Sequence, residues 1–424
     1  MEFDVVILAA GKGERMSSKL PKPLQKICGI SLLELVLNLA ETVSKQSIVV
    51  LGHGAEQVQE ELSKLGKNTI PVLQKNQLGT ANAVSVALPH TKEKNLLVLY
   101  ADVPLIKKET ISNLLEQHLK SDSDVTLLTA FVSNPKGYGR VIRSKNGSIR
   151  AIVEETELTE TNKNSTNEIF TGVAAYKTDF LRKVIPTLKP DNRKGEYYLT
   201  DVVRHTKNLT SVTCGEDESI GINNKAQLVK AESLLERRIQ AELIEIGAKI
   251  VAPNLVYIEY GVEVAGECLI EPFCVIRRGV KIGEGCVVGP FAHLRKGTVL
   301  EDHSEIGNFV ETKNTLLGRG AKAKHLSYLG DSEIGAETNI GAGTICANFD
   351  GKKKHKTVIE EKASIGSGTV LVAPVRIGAG AVTGAGAVVT KGHDVPSGET
   401  VVGIPARPLK KTKREKSALN KTSR

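Results

Sequence analysis

The chain has 424 residues, of which 25% are charged and 40% are hydrophobic, a composition ordinary for a globular protein of two or three domains. No apolar run reaches the length of a membrane span, and the strand-like run that begins at Val5 lacks the basic region of a secretory signal, so we expect a cytoplasmic protein. Of the net charge of +9, only +3 belongs to residues 1–409, which argues against a nucleic-acid partner. The basic tail, 409–424, is expected to be a solvated, disordered end, with contact to nucleic acid or a membrane as the alternative.

Residues 1–223 predict an α/β domain, because strand-like and helix-like runs alternate. The predicted strands are 5–8, 47–51, 95–100 and 125–130. The predicted helices are 32–43, 55–64, 81–88 and 109–119. This alternation predicts a largely parallel, Rossmann-like sheet whose ligands bind at the carboxyl ends of its strands.

A glycine-containing loop follows the first predicted strand. Gly11 and Gly13 allow backbone N–H groups to approach a nucleotide, and Lys12, Arg15 and Lys22 supply positive charge for phosphates. The loop is neither a Walker loop nor Gly-x-Gly-x-x-Gly. It therefore indicates a nucleotide site of another kind.

Asp102 follows the third predicted strand at the same edge of the sheet. A carboxylate beside a phosphate loop suits Mg²⁺, which takes one or two carboxylates plus phosphate oxygens. An Asp that caps the next turn is the alternative. A further polar cluster before a helix comprises Gln74, Gln77, Gly79 and Thr80.

Residues 224–248 predict a linker helix, and residues 249–408 predict a coil of hexapeptides. Nine consecutive aliphatic residues recur at a period of six: Ile258, Val264, Ile270, Ile276, Ile282, Val288, Leu294, Leu300 and Ile306. This period indicates a left-handed parallel β-helix, in which each hexapeptide forms one side of a triangular coil. Glycines beside the aliphatic position, as at Gly283, Gly289 and Gly307, are expected where the backbone turns a corner.

The period fails at 307–333 and again at 341–358. Insertions in solenoids leave as loops, and loops carry function, so both breaks predict a second site. His325 lies in the first break with Glu311, Lys313 and Tyr328, which makes it a candidate general base.

Six cysteines show no Cys-x-x-Cys pairing. Cys268, Cys274 and Cys286 share one position of the hexapeptide and are expected to be small buried residues. A metal site or a disulfide is the alternative.

Motifs along almost the whole chain resemble one family, the bacterial bifunctional N-acetylglucosamine-1-phosphate uridylyltransferases and glucosamine-1-phosphate acetyltransferases. The motifs that carry the resemblance are Leu8-Ala9-Ala10-Gly11 with Lys22, Gln77-Leu78-Gly79-Thr80, Gly195-Glu196-Tyr197-Tyr198, Gly289-Pro290-Phe291-Ala292, Gly307-Asn308-Phe309-Val310-Glu311 and His325-Leu326-Ser327-Tyr328-Leu329-Gly330-Asp331.

For the first domain, a nucleotide-sugar pyrophosphorylase, the resemblance implies contacts with UTP, the sugar and Mg²⁺. The residues implied for UTP and its sugar partner are Leu8, Ala9, Ala10, Gly11, Arg15, Lys22, Gln74, Gln77, Gly79, Thr80, Gly139 and Glu154. Arg15 and Lys22 would hold phosphates, whereas Asp102 and Asn223 would bind Mg²⁺.

For the acetyltransferase coil, the resemblance implies His325 as the base, assisted by Glu311. The residues implied for the hexosamine phosphate are Arg295, Lys313, Tyr328, Asn339 and Lys354. Those implied for acetyl-CoA are Ala342, Asn348, Phe349, Ser367, Ala385 and Arg407.

The resemblance therefore implies an enzyme that acetylates glucosamine-1-phosphate and couples the product to UTP for cell-envelope synthesis, as a homotrimer with acetyl sites between subunits. One alternative follows from Phe170, which stands where the family usually has Asn against the sugar. A bulky apolar ring cannot make that hydrogen bond, so an enzyme with a single activity or an altered sugar preference is the rival. A non-catalytic scaffold is a further alternative.

Overall fold

The computed structural model describes residues 3–159 and 166–409. The chain divides into two compact units, Met1–Leu235 and Glu236–Arg424. The division falls inside a helix, Lys225–Glu245, that begins and ends close to the predicted linker. Leu409, placed at the start of the tail by the sequence, donates its backbone N–H to Thr400 at 2.8 Å, and the rest of the predicted tail lies outside the described residues.

The described part of the first unit contains a nine-stranded sheet and a short hairpin. Its strands are β1 (Phe3–Ala9), β2 (Lys26–Ile27), β3 (Ile30–Ser31), β4 (Ser47–Leu51), β5 (Thr69–Leu73), β6 (Asn95–Tyr100), β7 (Val125–Phe131), β8 (Gly139–Arg143), β9 (Ile149–Val153), β10 (Glu168–Lys177) and β11 (Leu209–Cys214). Its helices are α1 (Leu32–Glu41), α2 (Ala55–Leu65), α3 (Thr80–Ala87), α4 (Lys108–Ser121) and α5 (Thr178–Val184), and the helix shared with the second unit is α6 (Lys225–Glu245).

The four predicted strands and four predicted helices are all present, with boundaries within two residues of prediction. The sheet order is β11-β7-β10-β6-β1-β4-β5, and β6, β1, β4 and β5 pair in parallel as expected. Strand β10 differs, because it runs antiparallel to both β6 and β7. The sheet is therefore mixed, since the chain returns through β10 after the β8–β9 hairpin in the opposite direction.

Both faces of this sheet are buried by helices. Val5 and Ile7 of β1 pack on one side with Val36 of α1, whereas Val6 of the same strand packs on the other side with Val84 of α3. This alternation follows from the period of two along a strand. It leaves the carboxyl ends of the parallel strands as the edge where loops gather. No helix of the described residues is long and apolar enough to cross a membrane.

The second unit is a prism, and each of its three sheets forms one face. The first face contains β12 (Lys249–Ile250), β15 (Leu269–Ile270), β18 (Val287–Val288), β21 (Glu305–Asn308), β24 (Lys322–His325), β27 (Asn339–Ile340), β30 (Ser364–Ile365), β33 (Val382–Thr383), β35 (Thr400–Val402) and β36 (Arg407–Pro408). The second face contains β13 (Tyr257–Ile258), β16 (Val275–Ile276), β19 (His293–Leu294), β22 (Glu311–Lys313), β25 (Tyr328–Gly330), β28 (Ile345–Ala347), β31 (Val370–Val372) and β34 (Val388–Val389). The third face contains β14 (Glu263–Val264), β17 (Lys281–Ile282), β20 (Val299–Leu300), β23 (Leu316–Leu317), β26 (Ser332–Ile334), β29 (Thr357–Ile359) and β32 (Val375–Ile377).

This architecture confirms the predicted left-handed β-helix. Along this series each coil pairs in parallel with the next at a spacing of 18 residues, as between Tyr257 and Val275 and between His293 and Glu311. All nine aliphatic residues of the period-six series point inward, and none is more than 8% exposed. Burial of one branched side chain per hexapeptide therefore forms a continuous core along the prism axis.

The first predicted break, 307–333, does not leave the prism as a loop, so that prediction is wrong. Glu311 pairs with Tyr328, a spacing of 17 residues, and the neighbouring strands keep the same spacing. Thr312, Ala323 and Leu329 occupy the inward positions and are fully buried. Coils shortened by one residue shift the phase of the sequence while the stack continues.

The second break does contain an insertion. Thirteen residues separate the inward-pointing Cys346 from the next inward residue, Ile359, where six are the rule. The additional residues form a loop between β28 and β29, which includes the basic run 352–356. The predicted loop is therefore confirmed here.

Glycines beside the inward residue are needed for close approach between coils as well as for turning. A Cβ at Gly307 would lie 2.2 Å from the carbonyl oxygen of Lys324, and one at Gly283 would lie 2.6 Å from Asp302. Of the three glycines singled out, only Gly289 has a left-handed φ, of 104°. A side chain at Gly283 or Gly307 would therefore force adjacent coils apart.

The coil cysteines are buried, as expected. Cys268, Cys274 and Cys286 are at most 1% exposed, and none of the chain's six cysteines, all of them described, is in a disulfide. Burial raises the pKa of the Cys274 thiol to about 11. These thiols act as small apolar residues in the stack.

The shortened coils give a stability prediction. Leu329→Ala should lower the free energy of unfolding by about 2–5 kcal/mol, because it leaves a cavity in the stack. The matched control is Leu326→Ala, since Leu326 is 63% exposed on the same coil and its truncation should cost less than about 1 kcal/mol. Urea unfolding followed by circular dichroism measures both. Equal, small effects would show that this segment does not contribute to the core.

Candidate active sites

The loop that follows β1 lies against the first residues of the loop that follows β4. A Cβ at Gly52 would lie 2.6 Å from the carbonyl oxygen of Ala10 and 2.9 Å from Nε2 of Gln77. The backbone N–H of His53 also donates to Ala10 at 3.1 Å. The structure therefore places the backbone of Ala10 near the amide of Gln77, and Leu8 and Ala9 are buried.

A second polar segment is fixed over this loop by Gln74 and Gly79. Gln74 is buried, and its Nε2 donates to the carbonyl oxygen of Gly79 at 3.1 Å. Gly79 has φ 111°, and a Cβ there would lie 2.5 Å from the carbonyl oxygen of Tyr197. Thr80 accepts a hydrogen bond from the backbone of Leu199 at 2.9 Å. Gly79 thus permits the Glu-Tyr-Tyr motif to pack closely against this segment through the backbone of Tyr197.

Three polar side chains distant in sequence meet at one point. The ammonium group of Lys22 forms an ion pair with Asp102 and donates to Oδ1 of Asn223 at 2.9 Å. A Cβ at Gly13 would lie 2.9 Å from Cβ of Lys22, so the phosphate-loop candidate passes directly over this group. A carboxylate oxygen and an amide oxygen that converge on a cation are a donor set that suits Mg²⁺.

Arg15 is exposed in the same loop. Its neighbours Lys12 and Glu14 lie 4.0 Å apart on the surface. Arg15 therefore lies on the exposed surface of the loop that follows β1.

Glu154 and Gly139 lie together at the end of the β8–β9 hairpin. A Cβ at Gly139 would lie 3.5 Å from Oε2 of Glu154, and Thr200 donates to Oε1 at 3.0 Å. Burial raises the pKa of Glu154, and the Thr200 hydroxyl partly offsets this. A cavity of about 380 Å³ opens beside Glu154 and is lined by Thr200, Tyr198 and Asp201 among others. Thr200 was given no role from sequence, although it directly follows the Tyr-Tyr-Leu motif.

Phe170 pairs with Gly139 across the sheet and is only 7% exposed. Its ring belongs to the apolar cluster that includes Leu8 and Ala10. The structure therefore places Phe170 in the core next to the loop, where it offers no hydrogen bond.

On the second unit, the outward positions of the second face carry the candidate anion site. Arg295 lies one coil before Lys313, and Nη1 of Arg295 contacts Oε1 of Glu311 at 2.7 Å. The nearby Lys354 ammonium lowers the pKa of Lys313, and the charge of Arg295 adds to the effect. Three cations thus converge on a solvent-facing surface, which favours binding of a phosphate.

Tyr328 and Asn348 meet above Gly330 on this face. A Cβ at Gly330 would lie 2.4 Å from the Tyr328 hydroxyl oxygen and 2.8 Å from Nδ2 of Asn348. Asn348 is buried and donates to Oδ2 of Asp331 at 2.5 Å, and Lys354 lies 4.0 Å from the same oxygen. Asp331 was given no role from sequence. The available signal was its position three residues after Tyr328 and directly after Gly330.

His325 ends β24 at the corner between the first and second faces. It is exposed, and its imidazole makes no hydrogen bond within the described residues. Its carbonyl oxygen accepts from Gly343 at 3.4 Å, and the same corner continues through hydrogen bonds from Gly368 to Ala342 and from Gly386 to Ser367. His325, Ala342 and Ser367 therefore lie in one line, which Ala385 extends by one coil.

The residue type at the left-handed positions of this corner changes at His325. On one side its left-handed positions hold Phe273, Phe291 and Phe309, which stack, followed by Leu326. On the other side those positions hold Gly343, Gly368 and Gly386. An edge lined by small residues thus opens at His325 and exposes backbone to a ligand. Phe349 is also exposed, next to Asn348 in the inserted loop.

Two predicted residues do not join the cluster on the second face. Asn339 lies on the first face, where it pairs with Lys322. Arg407 lies in β36 at the end of the first face, opposite Val402. Within one chain the predicted hexosamine-phosphate residues are therefore divided between two faces of the prism.

Comparisons with known proteins agree with these two units. The family described as "MobA-like NTP transferase domain" matches residues 5–145. The family described as "Bacterial transferase hexapeptide (six repeats)" matches residues 261–296, 279–314 and 356–391. Within the coil, residues 315–355 lie between two of these matches and contain part of the shortened coils and most of the inserted loop.

Relatives cover almost the whole chain. A protein of Thermosipho africanus is 42% identical over 433 residues, which are 94% of this chain and 94% of the relative. One of Francisella tularensis subsp. tularensis is 43% identical, covering 95% and 96%, and one of subsp. novicida is 42% identical, covering 97% and 100%. Each bears the name "Bifunctional protein GlmU", and the chain belongs to the family of bifunctional GlmU proteins.

Proposed function

We infer that this chain makes UDP-N-acetylglucosamine by two transfers, one on each unit. The second unit transfers the acetyl group of acetyl-CoA to the amino group of glucosamine-1-phosphate. The first unit then transfers the uridylyl group of UTP to N-acetylglucosamine-1-phosphate and releases pyrophosphate. The observation that carries the proposal is the presence, in one GlmU-family chain, of a polar cluster on each unit with the chemistry of one transfer.

For uridylyl transfer, the sugar phosphate is itself the nucleophile, so alignment and charge neutralisation suffice. The backbone of Ala10 and Gly11, with Gln77, would hold the uracil end, and Lys22 with Arg15 would hold the phosphates. Glu154 and Gly139 would contact the sugar hydroxyls. Asp102 and Asn223 would hold Mg²⁺, which neutralises triphosphate charge when bound. The contacts of both oxygens with the Lys22 ammonium support this assignment, because they bring the two oxygens together around one positive charge.

For acetyl transfer, the sugar's ammonium group must lose a proton before it attacks the thioester. His325 is suited to accept that proton, because it is exposed and its backbone lies at the start of the small-residue edge. The amine then forms a C–N bond as the C–S bond breaks, and the proton that the nitrogen loses in this step passes to sulfur, so that coenzyme A leaves as the thiol. Asn348 would donate to the developing oxyanion, and Glu311 would assist. Arg295, Lys313, Tyr328 and Lys354 would bind the phosphate-bearing sugar.

We propose a homotrimer with each acetyl site at a seam between subunits. The support is the division of the predicted residues between two faces: Asn339 lies on the first face, whereas Lys313 and Tyr328 lie on the second. A second copy that presents its first face to this second face would unite them, and heterologous contacts of this kind close into rings. We also propose that both reactions take place in the cytoplasm, where UTP and acetyl-CoA are available.

The proposal is tested by assaying both half-reactions on one purified preparation. Release of pyrophosphate from UTP and release of free thiol from acetyl-CoA are both expected. Absence of either activity would restrict the chain to one transfer, and absence of both would leave a scaffold.

Asp102→Asn should lower uridylyl transfer by about 100-fold or more, because the carboxylate that would hold the metal is lost. Binding of Mn²⁺ together with UTP, measured by calorimetry, should weaken as well, while acetyl transfer should stay unchanged. Asp179→Asn is the matched control, since Asp179 is an exposed acid of the same unit. Wild-type uridylyl transfer in Asp102→Asn would exclude this residue as a metal ligand.

His325→Ala should lower acetyl transfer by about 10²- to 10⁴-fold, the contribution expected of a general base. Uridylyl transfer by the same preparation should be unaffected. His393→Ala serves as the control, because His393 is an exposed histidine of the same unit. An acetylation rate near that of the wild type would show that another group accepts the proton.

Turnover of UTP with several hexose and hexosamine phosphates should show a preference for N-acetylglucosamine-1-phosphate. We expect this because Phe170 is buried in the core and leaves Glu154 and Gly139 as the sugar contacts. Equal or higher kcat/KM with another sugar phosphate would instead favour the altered-specificity alternative.

A further inference from the structure

The inserted loop of the coil, Asn348–Lys356, carries two of the predicted site residues, Asn348 and Lys354. The loop is exposed over most of its length and rich in lysine. Chain entropy and like-charge repulsion both oppose a fixed position for such a loop. A specific interaction is therefore needed to hold Lys354 at the anion site.

The like charges that repel Lys354 are those of the anion site, Lys313 and Arg295. The Lys354 ammonium lies close enough to Lys313 to lower the pKa of Lys313, and Arg295 adds to the positive charge. Only one carboxylate, that of Asp331, approaches Lys354 in the described residues, and it does so at 4.0 Å. In the absence of a bound anion, these charges favour movement of Lys354 away from the second face.

Asp350 counteracts this movement by closing the loop on itself. Its Oδ1 accepts hydrogen bonds from the backbone N–H groups of Lys352 and Lys353 at 2.9 and 2.8 Å. Its Oδ2 lies 2.5 Å from Nε2 of His355. These hydrogen bonds, with that from the Lys353 amide contributing most, hold the pKa of Asp350 well below its usual value. The carboxylate therefore binds the residues on both sides of Lys354.

The two ends of the closed loop are bonded to each other, and one of them is bonded to the prism. The backbone of His355 donates to the carbonyl oxygen of Asn348 at 2.7 Å, and Phe349 and Lys354 form an antiparallel bridge. Asn348 is in turn bonded to Asp331 at 2.5 Å. Fixing Lys354 relative to Asn348 thus fixes it relative to the second face.

We propose that Asp350 is a positioning residue for the anion site: its carboxylate clasps the inserted loop so that Lys354 stays beside Lys313 before a phosphate-bearing ligand binds. The assignment of this ligand as glucosamine-1-phosphate rests on the proposed acetyl transfer. The clasp acts through Lys354, and Asp350 itself touches no reacting atom.

Asp350→Ala should raise KM for glucosamine-1-phosphate about tenfold, which corresponds to about 1.4 kcal/mol of lost binding. The kcat and the KM for acetyl-CoA should change less than about twofold, because His325 and the small-residue edge are untouched. Binding of inorganic phosphate to the full chain, measured by calorimetry, should weaken by a similar factor. The matched control is Asp394→Ala, since Asp394 also accepts a backbone N–H, from Arg376 at 2.8 Å, and its loss changes the net charge equally.

Two more conservative variants distinguish the bonds of Asp350 to the backbone amides from its contact with His355, and they are less disruptive to the loop. Asp350→Asn keeps an oxygen for the two backbone amides but weakens the His355 arm, and His355→Ala removes that arm alone. Each should raise KM for glucosamine-1-phosphate by less than Asp350→Ala does. The double variant Asp350→Asn/His355→Ala should have a KM close to that of either single variant, because each single change already removes the contact between Asp350 and His355. Additive effects would overturn the assignment of one shared clasp.

The outcomes distinguish the clasp from the proposed function. If wild-type protein binds phosphate and Asp350→Ala does so more weakly, the clasp holds even when no acetylation is detected, and only the proposed activity fails. If both KM and phosphate affinity in Asp350→Ala stay within about twofold of wild type, or match Asp394→Ala, the proposal is overturned. A change in kcat without a change in KM or phosphate affinity would also overturn it.

Discussion

The second unit depends on one constraint, the stacking of an inward side chain of each hexapeptide on its equivalent one coil away. Burial of these residues, from Ile258 to Ile306 and beyond, supplies the core, while parallel backbone pairing satisfies the polar groups between coils. Because both requirements repeat at every coil, the prism tolerates a shortened corner. A side chain at a position such as Gly307, in contrast, would collide with the backbone of the adjacent coil.

The stack also determines where chemistry can occur. Inward positions belong to the core, so functional groups lie on outward positions, on corners or in insertions. Arg295 and Lys313 occupy outward positions in adjacent coils, His325 occupies a corner, and Lys354 is supplied by the insertion. A rigid array thus holds like charges near each other at a free-energy cost, and bound phosphate would offset that cost.

The first unit also brings functional groups together, but it does so at one edge of a sheet. Its parallel strands bring distant segments to one edge, where Lys22 lies between Asp102 and Asn223. The strand pairings also place Gly139 beside Phe170, so the hairpin that carries Glu154 ends at the same edge. Loops of this edge approach each other closely because glycines such as Gly52 and Gly79 leave room.

The sequence by itself determined the elements with local periodicity: the parallel strands β1, β4 and β6, the nine inward aliphatic residues and the motifs of both sites. Three features were decided only by the tertiary structure, namely the antiparallel β10, the continuation of the stack through Thr312 and Leu329, and the placement of Asn339 on a different face from Lys313. The physical reason is that a local pattern reports which side chains are buried, but not how the chain returns to bury them. A loss of phase looks the same in sequence whether a corner loses one residue or a loop is inserted, and only the pairing of neighbouring coils distinguishes the two.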